Sequence, residues 1–280
     1  MDRVVILGAG ELGGLLAHTL ARRAVAHDIC LIDEKGRVAE GKALDIAQAA
    51  PVEAFATELA GGVDWSTAAG ADVIVLADRF AGGEWIGDEA VQLVAQLSRS
   101  APRAILLCAG ASQRELVDRA VRDWKIPRAR LFGSAPEALA GGARALAALA
   151  VNASPRDVAL SVLGLPPDHT VIPWQDATLA GFALTRLLDE PSRRALAARV
   201  AALWPPGPYA LASAAAIAID AAAGRTRRIV SVFVAPDTSA GVQTRTGALP
   251  VRLGPAGIVE VIVPSLSAVE RIALENAMQV

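Results

Sequence analysis

The sequence is poor in the residue types that hold small folds together or bind metals. Its 280 residues contain 2 Cys, 3 His and 1 Tyr, and aromatic residues make up 4%. Two Cys cannot build a disulfide framework, so we expect Cys30 and Cys108 to be buried free thiols in a cytoplasmic protein. No His, Cys and Asp cluster has the spacing of metal ligands, and we therefore predict no metal site.

Long apolar runs and a strong charge of either sign are also missing. Hydrophobic residues make up 53%, but the 60 Ala supply much of that fraction, and the apolar stretch 210–219 is too short to cross a bilayer. The net charge of −2 and the pI of 6.0 give no basic surface for nucleic acid or anionic lipid. The N-terminus leads directly into a strand pattern, without the regions of a signal peptide. We expect a cytoplasmic protein that binds neither nucleic acid nor membrane.

The first half of the chain alternates short apolar strands with segments of helical composition. The predicted strands are 4–7, 28–32, 72–76 and 104–107, and the predicted helices are 14–23, 38–50, 88–99 and 114–123. Pro51 is expected to end the second of these helices. The alternation predicts an α/β fold with an N-terminal Rossmann domain, a doubly wound parallel sheet.

A glycine-rich turn follows the first predicted strand. Residues 8–13 read GAGELG, which is the pattern G-x-G-x-x-G at the start of a predicted helix. In such a turn Gly8 permits the tight bend, Gly10 lets the backbone approach a pyrophosphate, and Gly13 lets the helix pack closely on the strand. The free N–H groups at the helix start would then bind the phosphates.

An acidic residue follows at the distance that a dinucleotide site requires. Asp33 lies 25 positions after Gly8, at the end of the second predicted strand, where it can accept hydrogen bonds from ribose hydroxyls and would repel a 2′-phosphate. This favours NAD as the cofactor. Glu11 and Leu12 complete the predicted cofactor-binding set, although the charge of Glu11 lies close to the expected phosphates. The alternative is a Rossmann-like turn that has lost its ligand.

The pattern becomes mixed after about residue 145. Helices are predicted at 143–151, 192–203, 209–223 and 267–278, and strands at 158–163, 229–234 and 257–263. Gly164 is expected to end the first of these strands, and a Gly/Pro/Thr-rich segment separates the last two. Ser267 and Glu270 have the spacing of a capping box. We therefore predict a Rossmann domain over 1–145 and a C-terminal α+β domain over 146–280.

Several segments, in order, resemble the lactate/malate dehydrogenase family. The most specific is EGKALD at residues 40–45, and the others are 4–13, 31–33, 70–75, 133–134, 171–174 and 250–254. The resemblance spans nearly the whole chain. It implies an NAD-binding Rossmann domain followed by a substrate-type domain, a small-molecule ligand, and a homodimer or homotetramer in which the EGKALD helix commonly lies at a subunit interface.

The catalytic residues of that family have few counterparts in this chain. The family's chemistry needs a His that exchanges a proton, an Asp that orients it, an Arg that clamps a carboxylate, and a mobile loop with further Arg. The chain has LAGG at 139–142 in place of L-D-x-x-R, with Arg144 beside it, and LPPDHT at 165–170 in place of H-G-D. The loop at 77–85 is shorter than the family's and keeps Arg79 as its single cation.

These differences predict an NAD(H)-binding homologue that is not a normal malate or lactate dehydrogenase. The alternative is an active NAD-dependent oxidoreductase for a different hydroxyl or carbonyl substrate, with a rebuilt site. In that case His169 is the candidate proton donor, with Tyr209 as a second choice, and Arg79 is the candidate anion-binding residue. A scaffold that binds no nucleotide is a third hypothesis. Glu84 and Trp85 are expected to lie in a solvent-facing loop, and the alternative is that they form a lid.

Overall fold

The computed structural model describes residues 1–237 and 244–279, and it confirms the α/β fold. The strands are β1 (Arg3–Leu7), β2 (Asp28–Ile32), β3 (Glu58–Gly62), β4 (Val73–Leu76), β5 (Asp78–Arg79), β6 (Gly83–Glu84), β7 (Ile105–Cys108), β8 (Leu131–Gly133), β9 (Val158–Ala159), β10 (Leu163–Leu165), β11 (His169–Val171), β12 (Thr178–Leu179), β13 (Phe182–Ala183), β14 (Val230–Val234), β15 (Gly247–Gly254) and β16 (Gly257–Val261). The α-helices are α1 (Glu11–Arg22), α2 (Gly36–Glu53), α3 (Gly87–Ser100), α4 (Arg114–Trp124), α5 (Ala135–Ala150), α6 (Leu184–Leu187), α7 (Glu190–Ala201), α8 (Pro208–Ala222) and α9 (Ala268–Met278).

Six strands of the N-terminal half form the predicted parallel sheet. Their order is β3-β2-β1-β4-β7-β8, and each neighbouring pair is parallel. This is the doubly wound order of a Rossmann fold, in which the chain builds one edge from the centre and then returns to build the other. The order reverses between β1 and β4, so the carboxyl ends of these strands flank a crevice suited to a ligand.

The sheet continues into the C-terminal half through antiparallel strands. β14 pairs with β8, and β15, β10 and β11 follow, while β16 pairs with β15. Strands from both halves thus belong to one eleven-stranded sheet. The predicted boundary at residue 145 lies inside α5, and the division into residues 1–145 and 146–280 stays a prediction.

Alanine lets the helices approach the sheet and one another closely. α8 buries Leu211 and Ile219 together with seven Ala, and it shares one apolar cluster with α1 and one face of the sheet. The opposite face is covered by α3 and α4. Because Ala loses almost no side-chain entropy on burial, these tight helix contacts cost little in conformational freedom.

The prediction that Pro51 ends the second helix is wrong. α2 continues through Pro51 to Glu53 and ends at Ala54, whose left-handed φ of 58° lets its N–H bond to the Ala50 carbonyl. A Pro removes the one hydrogen bond that its own N–H would make, but the bonds on either side of it remain. Near the end of a long helix that loss is small enough for the helix to continue.

Several strands escape prediction because their residues have low strand propensity. β3 contains two Gly, and β15 contains Pro250 and lies within the Gly/Pro/Thr-rich segment, of which residues 238–243 lie outside the described residues. The predicted strand 158–163 is instead divided between β9 and the start of β10, and Gly164 lies inside β10 and does not end it. α5 also begins at Ala135, well before residue 143.

Two smaller predictions are confirmed. The Ser267 side chain accepts a hydrogen bond from the Glu270 N–H, and the Glu270 carboxylate accepts one from the Ser267 N–H, which completes the capping box of α9. Cys30 and Cys108 are free and buried, and burial raises the pKa of both thiols. None of the helices described in the structure is long and apolar enough to span a bilayer.

A buried ion pair ties α5 to the sheet. The Arg144 guanidinium lies 2.7 Å from the Glu137 carboxylate, and the side chains are 13% and 5% exposed. Glu137 also accepts the N–H of Ser231 in β14 at 2.8 Å, and Arg144 donates to the Leu160 carbonyl at 2.9 Å. The pair therefore joins three parts of the chain, and each charge depends on the other for its neutralisation.

We predict that Glu137→Ala lowers the free energy of unfolding by about 3–5 kcal/mol, because it leaves the Arg144 charge buried without its partner. Urea denaturation followed by circular dichroism measures the change. Glu115→Ala, on an exposed face of α4, is the control and should change stability by less than about 0.5 kcal/mol. Equal effects of the two substitutions would contradict a structural role for the pair.

Candidate functional site

The glycine-rich turn lies where the crevice of the parallel sheet begins. Gly8 follows β1 with a φ of 114°, a conformation that favours glycine, and a Cβ there would overlap the Asp78 carbonyl oxygen. A Cβ on Gly13 would overlap the Gly8 carbonyl oxygen, so α1 approaches the strand as closely as the motif predicts. Gly8 and Gly13 are thus each required by a close backbone contact, and Gly8 by its φ as well.

The carboxylate of Asp78 lies against the turn at the position that the motif reserves for a pyrophosphate. The Gly13 N–H donates to Asp78 Oδ1 at 2.9 Å, and the Gly10 N–H donates to the Asp78 carbonyl at 2.8 Å. A Cβ on Gly10 would overlap the same carboxylate. Gly10 therefore admits an anionic group, as predicted, but that group belongs to the chain itself. In this arrangement the turn has no room for a diphosphate.

Asp33 also bonds within the chain. Its side chain is 1% exposed. One carboxylate oxygen accepts the Ala9 N–H at 2.8 Å and the Phe80 N–H at 2.9 Å, and the other accepts the Lys35 N–H at 2.9 Å. Asp33 lies at the end of β2 as predicted. The three N–H groups occupy acceptor positions on its carboxylate that ribose hydroxyls would otherwise use.

Asp78 and Phe80 belong to a short antiparallel hairpin, β5–β6, which we call the crevice hairpin and define as residues 78–85. Its second strand carries another carboxylate, Glu84, paired directly opposite Asp78. That carboxylate accepts the N–H groups of Ala111 and Ser112 at 2.9 and 2.7 Å, in the turn that follows β7. The base of the hairpin thus bonds to the glycine-rich turn through Asp78 and to the turn after β7 through Glu84.

The expectation that Glu84 and Trp85 face solvent is wrong. Trp85 is 2% exposed, packs edge-to-face on Trp65 with ring centroids 5.5 Å apart, and donates its indole N–H to the Leu7 carbonyl at 3.0 Å. The size of the Trp85 side chain was the available signal, because a large aromatic side chain gains most from burial. Leu7 is the last residue of β1, so Trp85 fixes the hairpin beside the glycine-rich turn.

Arg79 serves the hairpin's own structure. Its guanidinium lies 4.5 Å from the centre of the Trp85 ring, donates to the Gly82 carbonyl at 3.3 Å and pairs with Glu89 at 3.3 Å. A cation held over an aromatic ring and beside a carboxylate has most of its favourable interactions already made. Arg79 therefore stabilises the hairpin, and the anion that it binds is the Glu89 carboxylate.

The remaining two cofactor-binding candidates, Leu12 and Glu11, differ in their exposure. Leu12 is 2% exposed and packs in the core, whereas Glu11 is exposed at the first turn of α1. Glu11 lines a cleft of about 460 Å³ between α1 and α2, together with Lys42 and Asp45. The ammonium group of Lys42 donates to the Gly10 carbonyl and so steadies the turn from the opposite side. The sequence analysis did not single out Lys42, although it lies in the EGKALD segment.

The catalytic candidates are far apart in the fold. His169 is exposed at the start of β11, and its side chain makes no hydrogen bond or ion pair with any described residue. Six strands separate β11 from β1 in the sheet order, so His169 and Arg79 are not brought together. Tyr209 is 70% exposed at the start of α8. No group of His, Cys, Asp and Glu within 1–237 and 244–279 is arranged to hold a metal ion.

The segment that stands in place of the L-D-x-x-R motif faces an apolar cluster. Leu139 and Ala140 are 1% and 0% exposed and pack with Val162 and Ile172. Arg144 is committed to Glu137. A cleft of about 770 Å³ opens on the other side of this segment, and its charged lining includes Arg144, Arg156, Asp157, Asp176 and Arg228.

Comparison with known proteins agrees with this architecture. Residues 2–82 match the family model described as lactate/malate dehydrogenase, NAD binding domain. Malate dehydrogenase of Thermomicrobium roseum is 28% identical over 292 residues, which cover 98% of this chain and 94% of that protein. Malate dehydrogenase of Flavobacterium frigidimaris is 31% identical over 199 residues, which cover 67% of this chain and 64% of that protein.

Solved structures show the same fold over nearly the whole chain. The malate dehydrogenase of Salinibacter ruber superposes with a TM-score of 0.86 at 24% identity, covering 98% of this chain and 93% of the other. The lactate dehydrogenase of Cryptosporidium parvum, complexed with lactic acid and NAD, gives a TM-score of 0.87 at 18% identity, covering 99% and 94%. The resemblance stated from the sequence, the Rossmann fold and the NAD-binding domain are thereby confirmed, and the chain belongs to the lactate/malate dehydrogenase family.

Proposed function

We propose that this chain is an NAD(H)-binding member of its family that does not carry out malate or lactate dehydrogenation. The observation that carries the proposal is the apolar surrounding of the segment at residues 139–142. In the segment predicted to stand in place of the L-D-x-x-R motif, Leu139 and Ala140 are buried among aliphatic side chains, and residues 141 and 142 are glycines without a side chain. A substrate carboxylate there would meet neither a clamping cation nor an orienting acid, so it would lose its hydrogen bonds to water without replacement.

The absence of a held proton donor supports the same proposal. General acid–base catalysis needs a side chain within hydrogen-bond reach of the reacting oxygen, usually oriented by a second group. His169 is exposed and has no partner among the described residues, and Asp168 beside it in sequence is exposed as well. The nearby Arg144 is neutralised by Glu137. Among the described residues, none is therefore held to exchange the proton, to orient the proton donor or to bind the substrate carboxylate.

The second candidate is an active NAD-dependent oxidoreductase for a different hydroxyl or carbonyl substrate. The cleft beside residues 139–142 favours it, because Arg156 and Arg228 on its wall would attract a small anionic molecule. In this case a small-molecule ligand binds on the C-terminal side, and His169 or Tyr209 supplies the proton. Both candidate functions use NAD(H) as the cofactor, but only the second includes turnover of a hydroxyl or carbonyl substrate.

We predict no oxidation of NADH above the blank rate when the protein is mixed with oxaloacetate, pyruvate or a panel of other 2-oxo acids and aldehydes. The physical reason is that no residue within the described ranges is held where it could protonate the carbonyl oxygen or bind the carboxylate. Loss of NADH absorbance at 340 nm, an optical property of the cofactor, measures the rate. Wild type and His169→Ala should behave alike.

Turnover of any panel member by the wild type, abolished in His169→Ala or Tyr209→Phe, would replace the first candidate by the second. Turnover of oxaloacetate or pyruvate at rates typical of enzymes, roughly 1–10³ per second, would contradict the proposal altogether.

We also propose that the chain forms a homodimer or homotetramer through α2, in the cytoplasm. α2 exposes Leu44 and Val52, which are 61% and 86% exposed and lie eight residues apart along one side of the helix. Gly41, one turn before Leu44, has open space around it, so a second helix could approach the backbone closely. The two buried free thiols support a reducing compartment.

We predict that Leu44→Lys shifts the protein to a smaller assembly, because a charge at the centre of an apolar helix contact is costly to bury. Size-exclusion chromatography with light scattering measures the mass. Leu149→Lys is the matched control, since Leu149 is 70% exposed on α5, and it should leave the assembly unchanged. A monomeric wild type would refute the dimer and tetramer alike.

A further inference from the structure

The crevice hairpin meets the chain at each place where a dinucleotide would meet a doubly wound sheet. Its contacts are made to the ends of three strands that flank the crevice. Asp78 bonds to the turn after β1, Phe80 bonds to Asp33 at the end of β2, and Glu84 bonds to the turn after β7. Ligands of such sheets lie outside the carboxyl ends of the strands, and that is the space through which the hairpin runs.

The chemistry of these contacts is that of an anionic ligand. At the glycine-rich turn, the Asp78 carboxylate takes the Gly13 N–H and lies against the face of Gly10. On the opposite strand of the hairpin, the Glu84 carboxylate accepts two successive N–H groups, those of Ala111 and Ser112, and lies against Gly110. Backbone N–H groups at a helix start attract carboxylates and phosphates by the same partial positive charge. The donor at the glycine-rich turn is therefore common to the hairpin and to a bound nucleotide, whereas the N–H groups of Ala111 and Ser112 serve the hairpin alone.

A neutral anchor holds the hairpin in this position. The Trp85 side chain is buried, and its indole N–H donates to the Leu7 carbonyl. Because Trp85 directly follows Glu84, its burial keeps both carboxylates in reach of their donors. The Arg79 guanidinium lies over the Trp85 ring and closes the hairpin on its outer side.

We infer that the crevice hairpin is an internal ligand, which competes with the dinucleotide for the glycine-rich turn and must be displaced before the nucleotide binds. The inference rests on the proposed NAD(H) binding and adds the element that controls access to it. Asp78 and a diphosphate cannot share the face of Gly10, because the carboxylate fills it. The closed state is the one described by the structure, and the open state has the hairpin removed from the turn.

Competition of this kind weakens the apparent affinity for NADH by the fraction of molecules in the open state. Substitutions that loosen the hairpin should therefore tighten NADH binding, although they remove contacts and add none to the nucleotide. A simple electrostatic repulsion between Asp78 and the phosphates would also be relieved by Asp78→Ala. It would not respond to a neutral change at Trp85, and the two explanations are thereby separable.

We predict that Asp78→Ala and Trp85→Phe each lower the Kd for NADH by about tenfold or more relative to wild type. Isothermal titration calorimetry with NADH alone measures the Kd for all variants. Asp88→Ala is the control, because Asp88 is an acid with 81% side-chain exposure that pairs with Arg119 outside the crevice, and it should bind as wild type does. Far-UV circular dichroism checks that each variant is folded.

A second readout follows the hairpin itself. In hydrogen exchange monitored by mass spectrometry, the amides of Gly13, Ala111 and Ser112 should be protected in wild type and should exchange faster in Trp85→Phe, because their acceptors are released. Saturating NADH should restore protection at Gly13 and leave Ser112 exchanging at the faster rate. This pattern would show the exchange of one ligand for the other.

Three results would overturn the inference, and they separate it from the proposed function. If wild type and both variants bind NADH with the same Kd, NADH binding stands and the hairpin is no competitor. If Asp78→Ala tightens binding and Trp85→Phe leaves it unchanged, charge repulsion explains the gain without displacement. If neither wild type nor any variant binds NADH, the proposed NAD(H) binding fails together with the inference.

Discussion

The approach of α1 to the end of β1 is the constraint on which the rest of the crevice depends. Gly13, in the first turn of the helix, lies so close to the Gly8 carbonyl that no larger residue fits. This contact aims the start of α1 and its N–H groups at the point where the strand order reverses. Two acidic side chains converge there, Asp33 directly after β2 and Asp78 in β5. Their carboxylates accept hydrogen bonds from the backbone N–H groups of the turn and of α1.

Several polar groups of the chain have their partners within the fold. In the crevice, Asp33, Asp78 and Glu84 accept hydrogen bonds from backbone N–H groups of the chain itself, which fixes the conformation of the glycine-rich turn. In α5, Leu139 and Ala140 pack among aliphatic side chains, and Arg144 pairs with Glu137. In both places polar interactions contribute to the stability of the fold.

The sequence predicts the parallel half of the fold and the glycine-rich turn well, because each depends on residues close together in the chain. Strand β2 and the position of Asp33 at its end follow from a short apolar run and one acid. The crevice hairpin could not be predicted in this way. Its decisive contacts join residues 65 and 78 positions apart, Asp78 with Gly13 and Trp85 with Leu7. No local sequence pattern marks Asp78 or Trp85 as the partner of these residues. His169 marks a different limit: the sequence names a chemically capable side chain near the family's motif, but its exposure and its separation from Arg79 depend on the fold.

The two faces of the sheet draw on different parts of the chain, and this has a consequence for the order of folding. The face covered by α3 and α4 is built almost entirely from residues before 132, with Ala235 as a late addition. The face that holds α1 is completed by α8 and by strands β14 and β15, which are made last. During synthesis one side of the sheet can therefore close while the other still exposes alanine and leucine, and β8 remains an unpaired edge until β14 joins it. The face that holds α1 can therefore gain its full cover only after the C-terminal third of the chain has been made.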